Sequence, residues 1–181
     1  MPPLALLVID VQRGAFDGAR CPPIARAGEL VERVGAAIGR ARSAALPIVF
    51  VQHSEPAGVF AEGTPQFELH EALAPARGEL RITKRHSSSF DDTTLVADLA
   101  RLSVCEVVLC GLQSEFCVYN TALGALTRDL RVTVLHDAHS TWPTPTETAE
   151  AISARINSEL SQRGANLCAT KDLEAYVQRS G

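Results

Sequence analysis

The chain has only two lysines in 181 residues, Lys84 and Lys171, and a net charge of −4. A balance of that sign offers no basic field for nucleic acid or for an anionic membrane surface. Runs of like charge are absent, which excludes a solvated interaction tail. The opening MPPLALLVID has no basic leader and meets an acid after a short apolar run, so neither a signal peptide nor a spanning helix is expected there. The five cysteines (Cys21, Cys105, Cys110, Cys117 and Cys168) are odd in number and form no CxxC pair. This removes a zinc knuckle or a dithiol redox motif from consideration and points to reduced thiols in a cytoplasmic protein. No GxGxxG or Walker-type glycine loop occurs, so a nucleotide cradle is unsupported, and no HxxxH or HExxH string sets two of the five histidines on one helical face.

What the chain does have is a repeated alternation. Short, almost wholly apolar runs at 4–10, 46–52, 104–111 and 131–137 fit strands buried on both faces, with weaker candidates at 80–84 and 165–170. Helical stripes fall between them. Leu30, Val34, Ile38 and Ala41 mark a helix over about 26–44. Leu95, Leu99 and Leu102 mark another, with Asp91-Asp92 as its expected cap. Val118, Ala122, Ala125 and Leu126 place a third near Cys117. Thr144-Pro145-Thr146-Glu147 reads as a capping box, with Pro145 in the first helical position, opening a helix through Ile152, Ile156 and Leu160. Strand and helix in alternation imply right-handed crossovers, hence an α/β domain with a mostly parallel sheet between two helical layers. No repeat or linker interrupts it, so 1–181 reads as one domain. The irregular stretch 53–79 shapes either a pocket or an oligomer contact.

In open α/β sheets, ligands bind beyond the carboxyl ends of the strands, so polar residues that terminate buried strands are the candidates. Asp10 ends the first strand, Lys84 the third, and Cys117 follows the fourth. Asp10 taken alone could equally be a turn acid or part of a metal or phosphate site. Lys84 alone could be a solvated strand-end lysine. Cys105 and Cys110 lie in an apolar strand and are expected in the core. Cys117 differs, because a polar connection precedes it and a helical pattern starts at it. A thiol at a helix N-terminus faces unpaired amides and the positive end of the dipole, which would favour the nucleophilic thiolate and make Cys117 the most reactive of the five. With strand order 3-2-1-4-5-6, the first and fourth strands are neighbours and the third lies about 10 Å from the first. A lysine stem can span most of that gap and carry its ammonium to Asp10 and Cys117.

At these residues the chain resembles the isochorismatase-like cysteine hydrolases, relatives of nicotinamidases and N-carbamoyl amidohydrolases. LLVIDVQRGAF is similar to the family's opening strand, ITKRHSSSFDDTTL to its lysine segment, VVLCGLQSEFCVYNTALGAL to its nucleophile segment, and HDAHST to the strand that follows. The resemblance covers nearly the whole chain. It implies a catalytic set of Asp10, Lys84 and Cys117 acting on the C–N bond of a small amide or ureido substrate through a thioester. It also implies an oxyanion hole at the Gln113 and Cys117 amides, substrate contacts from Gln12, Phe16 and Gln113, and a cis peptide bond between Leu112 and Gln113. An Asp-x-His metal motif, a mark of nicotinamidases, is replaced by Val51-Gln52-His53-Ser54-Glu55, so no metal and no cofactor are expected. The expected partners are a small-molecule substrate and further copies of the chain, as a homodimer or homotetramer, with no nucleic acid and no membrane. Vinyl-ether hydrolysis, which needs no cysteine nucleophile, and a non-catalytic member of the fold are the competing readings.

Overall fold

In the computed structural model, which describes residues 4–180, the first apolar run forms β1 (Leu4–Ile9) and all six of its residues are buried. Residues 1–3, part of the opening that bears on a leader, lie outside the described residues. A strand with no polar face belongs inside a sheet covered on both sides, and β1 sits there. It pairs in parallel with β2 (Ile48–His53) on one side and with β4 (Glu106–Leu112) on the other. β3 (Leu80–Lys84) adds outside β2, while β5 (Arg131–Ser140) and β6 (Asn166–Cys168) extend the far edge. The order is β3-β2-β1-β4-β5-β6 and every pairing is parallel.

Alternation along the strands divides the core in two. Leu6, Val8, Phe50, Val108 and Cys110 pack with α1 (Ala27–Ser43) and α5 (Leu173–Ser180) on one face. Leu7, Ile9, Val49, Val51 and Leu109 pack on the other with α2 (Leu95–Arg101), α3 (Tyr119–Leu126) and α4 (Ala149–Gln162). Truncating one of these buried aliphatic side chains to alanine would cost about 2–5 kcal/mol. Among the described residues no helix is long and apolar enough to cross a membrane.

Local chemistry corrects several boundaries. The N-cap position of α2 is Thr94, Thr93 Oγ1 accepts from Leu95 N at 3.3 Å, and Asp92 stands apart with φ 53° in the left-handed region, so the acid pair does not cap the helix. The α4 cap is Thr148, whose hydroxyl accepts from Ala151 N at 3.2 Å. Thr144 instead closes a tight turn on Thr146 and Glu147, which leaves Pro145 outside the helix. Cys105 precedes β4 and is exposed, whereas Cys110 is buried as expected.

The end of β4 is shaped by one glycine. Gly111 has φ 118°, and a Cβ there would lie 2.0 Å from the Ile9 carbonyl oxygen, so only glycine allows β1 and β4 to stay paired at this point. The next peptide bond, Leu112–Gln113, is cis. The irregular stretch folds back along the residues after β1. Arg13 N donates to Glu68 O, Gly14 N to Gln66 O and His70 N to Val11 O, which holds the stretch over the carboxyl end of the sheet.

Candidate active site

Three strand ends meet at that edge. Asp10 follows β1 with φ 53°, a left-handed conformation that aspartate tolerates better than most residues. Lys84 ends β3, and its side chain is fully buried. Its ammonium reaches Asp10 Oδ2 at 2.7 Å and Cys117 Sγ at 3.1 Å. A third neighbour is His53 Nδ1 at 3.4 Å, at the end of β2 and in register with Lys84. An ammonium only donates, so His53 must accept at Nδ1 and carry its proton on Nε2. The three Lys84 protons thus have three acceptors.

Burial works against the Lys84 charge, but Asp10 and Cys117 more than offset it and hold the ammonium above the ordinary lysine value. Burial also pushes the Cys117 thiol up to about 12, with the Asp10 carboxylate adding to the rise and Lys84 opposing it. Burial thus favours the protonated thiol over the thiolate at rest. Burial and then Lys84 lower the His53 pKa, keeping that ring neutral. The resting set is an ammonium, a carboxylate, a thiol and a neutral imidazole.

Cys117 lies within a π-helical turn, Ser114–Val118, that leads into α3. Phe116 N and Val118 N both donate to the Gln113 carbonyl, and the Cys117 amide takes no part in that pair. The turn is anchored from behind. Asn157 Nδ2 donates to His136 O, so its Oδ1 accepts from His139 Nε2 at 2.9 Å. His139 Nδ1 then accepts from the Ser114 hydroxyl at 2.8 Å, and Ser114 in turn contacts Ser153 Oγ at 2.9 Å. Thr141 holds Glu115 by a 2.8 Å hydrogen bond. The HDAHST segment thus braces the nucleophile turn through His139 and Thr141.

A cavity of about 270 Å³ opens onto this set, with Asp10, Gln113 and Cys117 in its lining. Asp10 Oδ1 is buried and has no hydrogen-bond partner. Gln12 and Phe16 do not line the cavity. The Gln12 amide is fully engaged by backbone: Nε2 donates to His53 O and Phe67 O at 2.9 Å each, and Oε1 accepts from His53 N at 2.8 Å. Phe16 packs against the core and edge-on to His70, with ring centroids 4.9 Å apart. Both brace the irregular stretch, and neither presents a group to the cavity.

The lining also includes His53, Glu55, Phe60, Phe116 and Trp142, which the strand-end reading passed over. His53 carried a usable signal, because it terminates a buried strand just as Asp10 and Lys84 do. Glu55, Phe60 and Trp142 sit on connections, where periodicity carries no information, and Phe116 sits in the short π-helical turn. Among the described residues, no three His, Cys, Asp or Glu side chains converge as a metal-binding group.

Comparison with known proteins agrees with this architecture. The family model described as Isochorismatase domain matches residues 4–177. A streptothricin hydrolase of Streptomyces noursei is 36% identical over 171 residues, covering 94% of this chain. The chain spans 60% of the length of that relative. The crystal structure of a cysteine hydrolase from Pseudomonas syringae pv. phaseolicola 1448A superposes with a TM-score of 0.92 at 19% identity, covering 100% of this chain and 96% of that one, a likeness of fold. An N-carbamoylsarcosine amidase structure from Thermoplasma acidophilum gives a TM-score of 0.81 at 25% identity, over 92% and 96% of the two chains. With the family model spanning all but the chain's ends, the chain belongs to the isochorismatase family of hydrolases.

Proposed function

We propose that the protein is a metal-independent cysteine hydrolase that cleaves the C–N bond of a small amide or ureido compound. One observation carries the reading: a buried lysine places a single ammonium 2.7 Å from a carboxylate and 3.1 Å from a thiol at the wall of a cavity. A thiol with a pKa of about 12 is a weak nucleophile unless a base takes its proton as it attacks. Asp10 is that base. The Cys117 S–H proton passes to Asp10 while sulfur bonds to the substrate carbonyl carbon. The Gln113 and Cys117 amides hold the resulting oxyanion. Asp10 then gives its proton to the leaving nitrogen, the C–N bond breaks, and a thioester on Cys117 remains. A water molecule gives a proton to Asp10 as it attacks the thioester, and Asp10 returns that proton to sulfur as the C–S bond breaks and the acid departs. Lys84 keeps Asp10 oriented throughout and offsets negative charge as it develops on sulfur. An amidase among the solved structures of similar fold is in keeping with this sequence of steps.

The test is a panel of small primary amides and ureido compounds assayed for ammonia release, with acid-quenched samples weighed by intact mass spectrometry. An acyl adduct confined to Cys117, and turnover that survives dialysis against EDTA, are expected. Turnover by a Cys117→Ala variant would move the chain to vinyl-ether chemistry, and recovery only on adding a divalent metal would overturn the metal-free route.

A further inference from the structure

The cavity has a charge balance that the cleavage steps do not use. Asp10 is neutralised by Lys84, Cys117 holds its proton, and the His53 ring is neutral. That leaves the Glu55 carboxylate as the uncompensated charge in the lining. Its sole ion-pair neighbour among the described residues is His53 Nε2, at 4.0 Å. No lysine or arginine of the described residues lies within that distance of it. Arg20 reaches the same loop but donates to the Gly58 carbonyl at 2.7 Å.

The loop that carries Glu55 is built around its carboxylate. Glu55 N donates to Phe60 O, and Phe60 N approaches Glu55 Oε2 at 3.4 Å. Gly58, with φ 121°, comes so close that a Cβ there would lie 2.4 Å from the same oxygen. Any other residue at 58 would displace the carboxylate. The remaining wall is aromatic: Phe60, Phe116 and Trp142 line the cavity beside Glu55. Phe116 is 52% exposed and so open to a bound molecule. Aromatic faces attract cations and do nothing for anions.

We propose that Glu55 is a specificity residue selecting substrates that carry an ammonium or guanidinium group beside the scissile amide, with the aromatic wall supporting the cation. This rests on the hydrolase reading for the scissile bond, but the charge preference belongs to the cavity alone. A substrate carboxylate would meet Glu55 with no cation to offset the repulsion. An ammonium would gain a charge-assisted hydrogen bond in a partly desolvated site.

Three probes of similar length decide it: 5-aminopentanamide, its neutral isostere hexanamide, and 4-carbamoylbutanoate. The ratio of kcat/KM for the ammonium probe over the neutral one is expected to be about tenfold or more, with the acid the poorest substrate, and Glu55→Gln should bring that ratio to within about twofold. Calorimetric binding of the same probes to Cys117→Ala, with and without Glu55→Gln, reads the charge preference independently of turnover. Glu55-dependent binding of 5-aminopentanamide without hydrolysis would sink the hydrolase reading and keep the charge assignment. A preference for the acid, a ratio untouched by Glu55→Gln, or no Glu55-dependent binding of the ammonium probe would overturn the assignment itself.

Discussion

Two buried ionic groups lie at opposite ends of the same sheet, and they are finished differently. At the amino end of β4, Glu106 is 1% exposed and all its capacity is engaged. Its Oε1 accepts from Thr133 Oγ1 at 2.8 Å and from the Tyr176 hydroxyl at 2.6 Å, while Oε2 faces Arg131 at 3.1 Å. At the carboxyl end, Asp10 pairs one oxygen with Lys84 and leaves the other buried without a partner, beside a cavity. A satisfied buried carboxylate ties α5 to the sheet. An unsatisfied one costs stability and persists where chemistry needs an acceptor. The buried carboxylate at one end is thus bound on both oxygens, while the one at the other end keeps an oxygen without a partner beside the cavity.

The sharpest way to break this contrast is at the nucleophile. Cys117→Ser should lower turnover on the order of 10³-fold or more, about 4 kcal/mol of barrier, while unfolding free energy shifts by less than about 1.5 kcal/mol. Denaturant melts beside the ammonia assay would show it, and equal losses in both would reduce the carboxyl-end set to a structural one.

Next in size is the removal of the buried cation. Lys84→Ala leaves the Asp10 carboxylate without its partner and should cost about 3–5 kcal/mol of stability along with activity. The double variant Lys84→Met/Asp10→Leu should regain most of that stability and, on the proposed mechanism, remain inactive, because an apolar pair replaces a buried ion pair at little cost in stability. A double variant as unstable as the single one would contradict this.

Glu106→Ala should do the reverse at the amino end. Thr133 and Tyr176 lose an acceptor, for about 1–3 kcal/mol, whereas half-exposed Arg131 contributes little to that loss. Its kcat should stay within about twofold of wild type once the protein is folded. A large fall in kcat at a temperature well below the melt would mean that the two ends are coupled.

The smallest effect is a matter of thiol order. Brief iodoacetamide treatment at neutral pH should label exposed Cys105 ahead of Cys117, and Cys117 labelling should climb steadily as the pH rises toward about 12. Peptide mass mapping across pH gives the order. Cys117 labelled first at neutral pH would mean that Lys84 outweighs burial and that the thiolate is preformed.

The central strands were readable because a residue buried on both faces must be apolar on both, as in LALLVI and EVVLCGL, whereas burial alone does not set strand order. The Asp10, Lys84 and Cys117 positions were readable for a related reason: a polar residue that ends an apolar run must emerge at the edge of the sheet. His53, which ends the buried strand β2, obeys the same rule. Tertiary structure alone decided three things. It decided how far burial raises the Cys117 thiol, because desolvation depends on everything packed around the sulfur and not on its place at a helix start. It decided that Gln12 faces backbone and that Glu55 faces the cavity, because the path of 53–79 is set by hydrogen bonds to residues 11–14 and 52 that no local pattern records. And it decided that Asp10 keeps a free oxygen while Glu106 does not, since partners are counted in space, across strands and helices far apart in the chain.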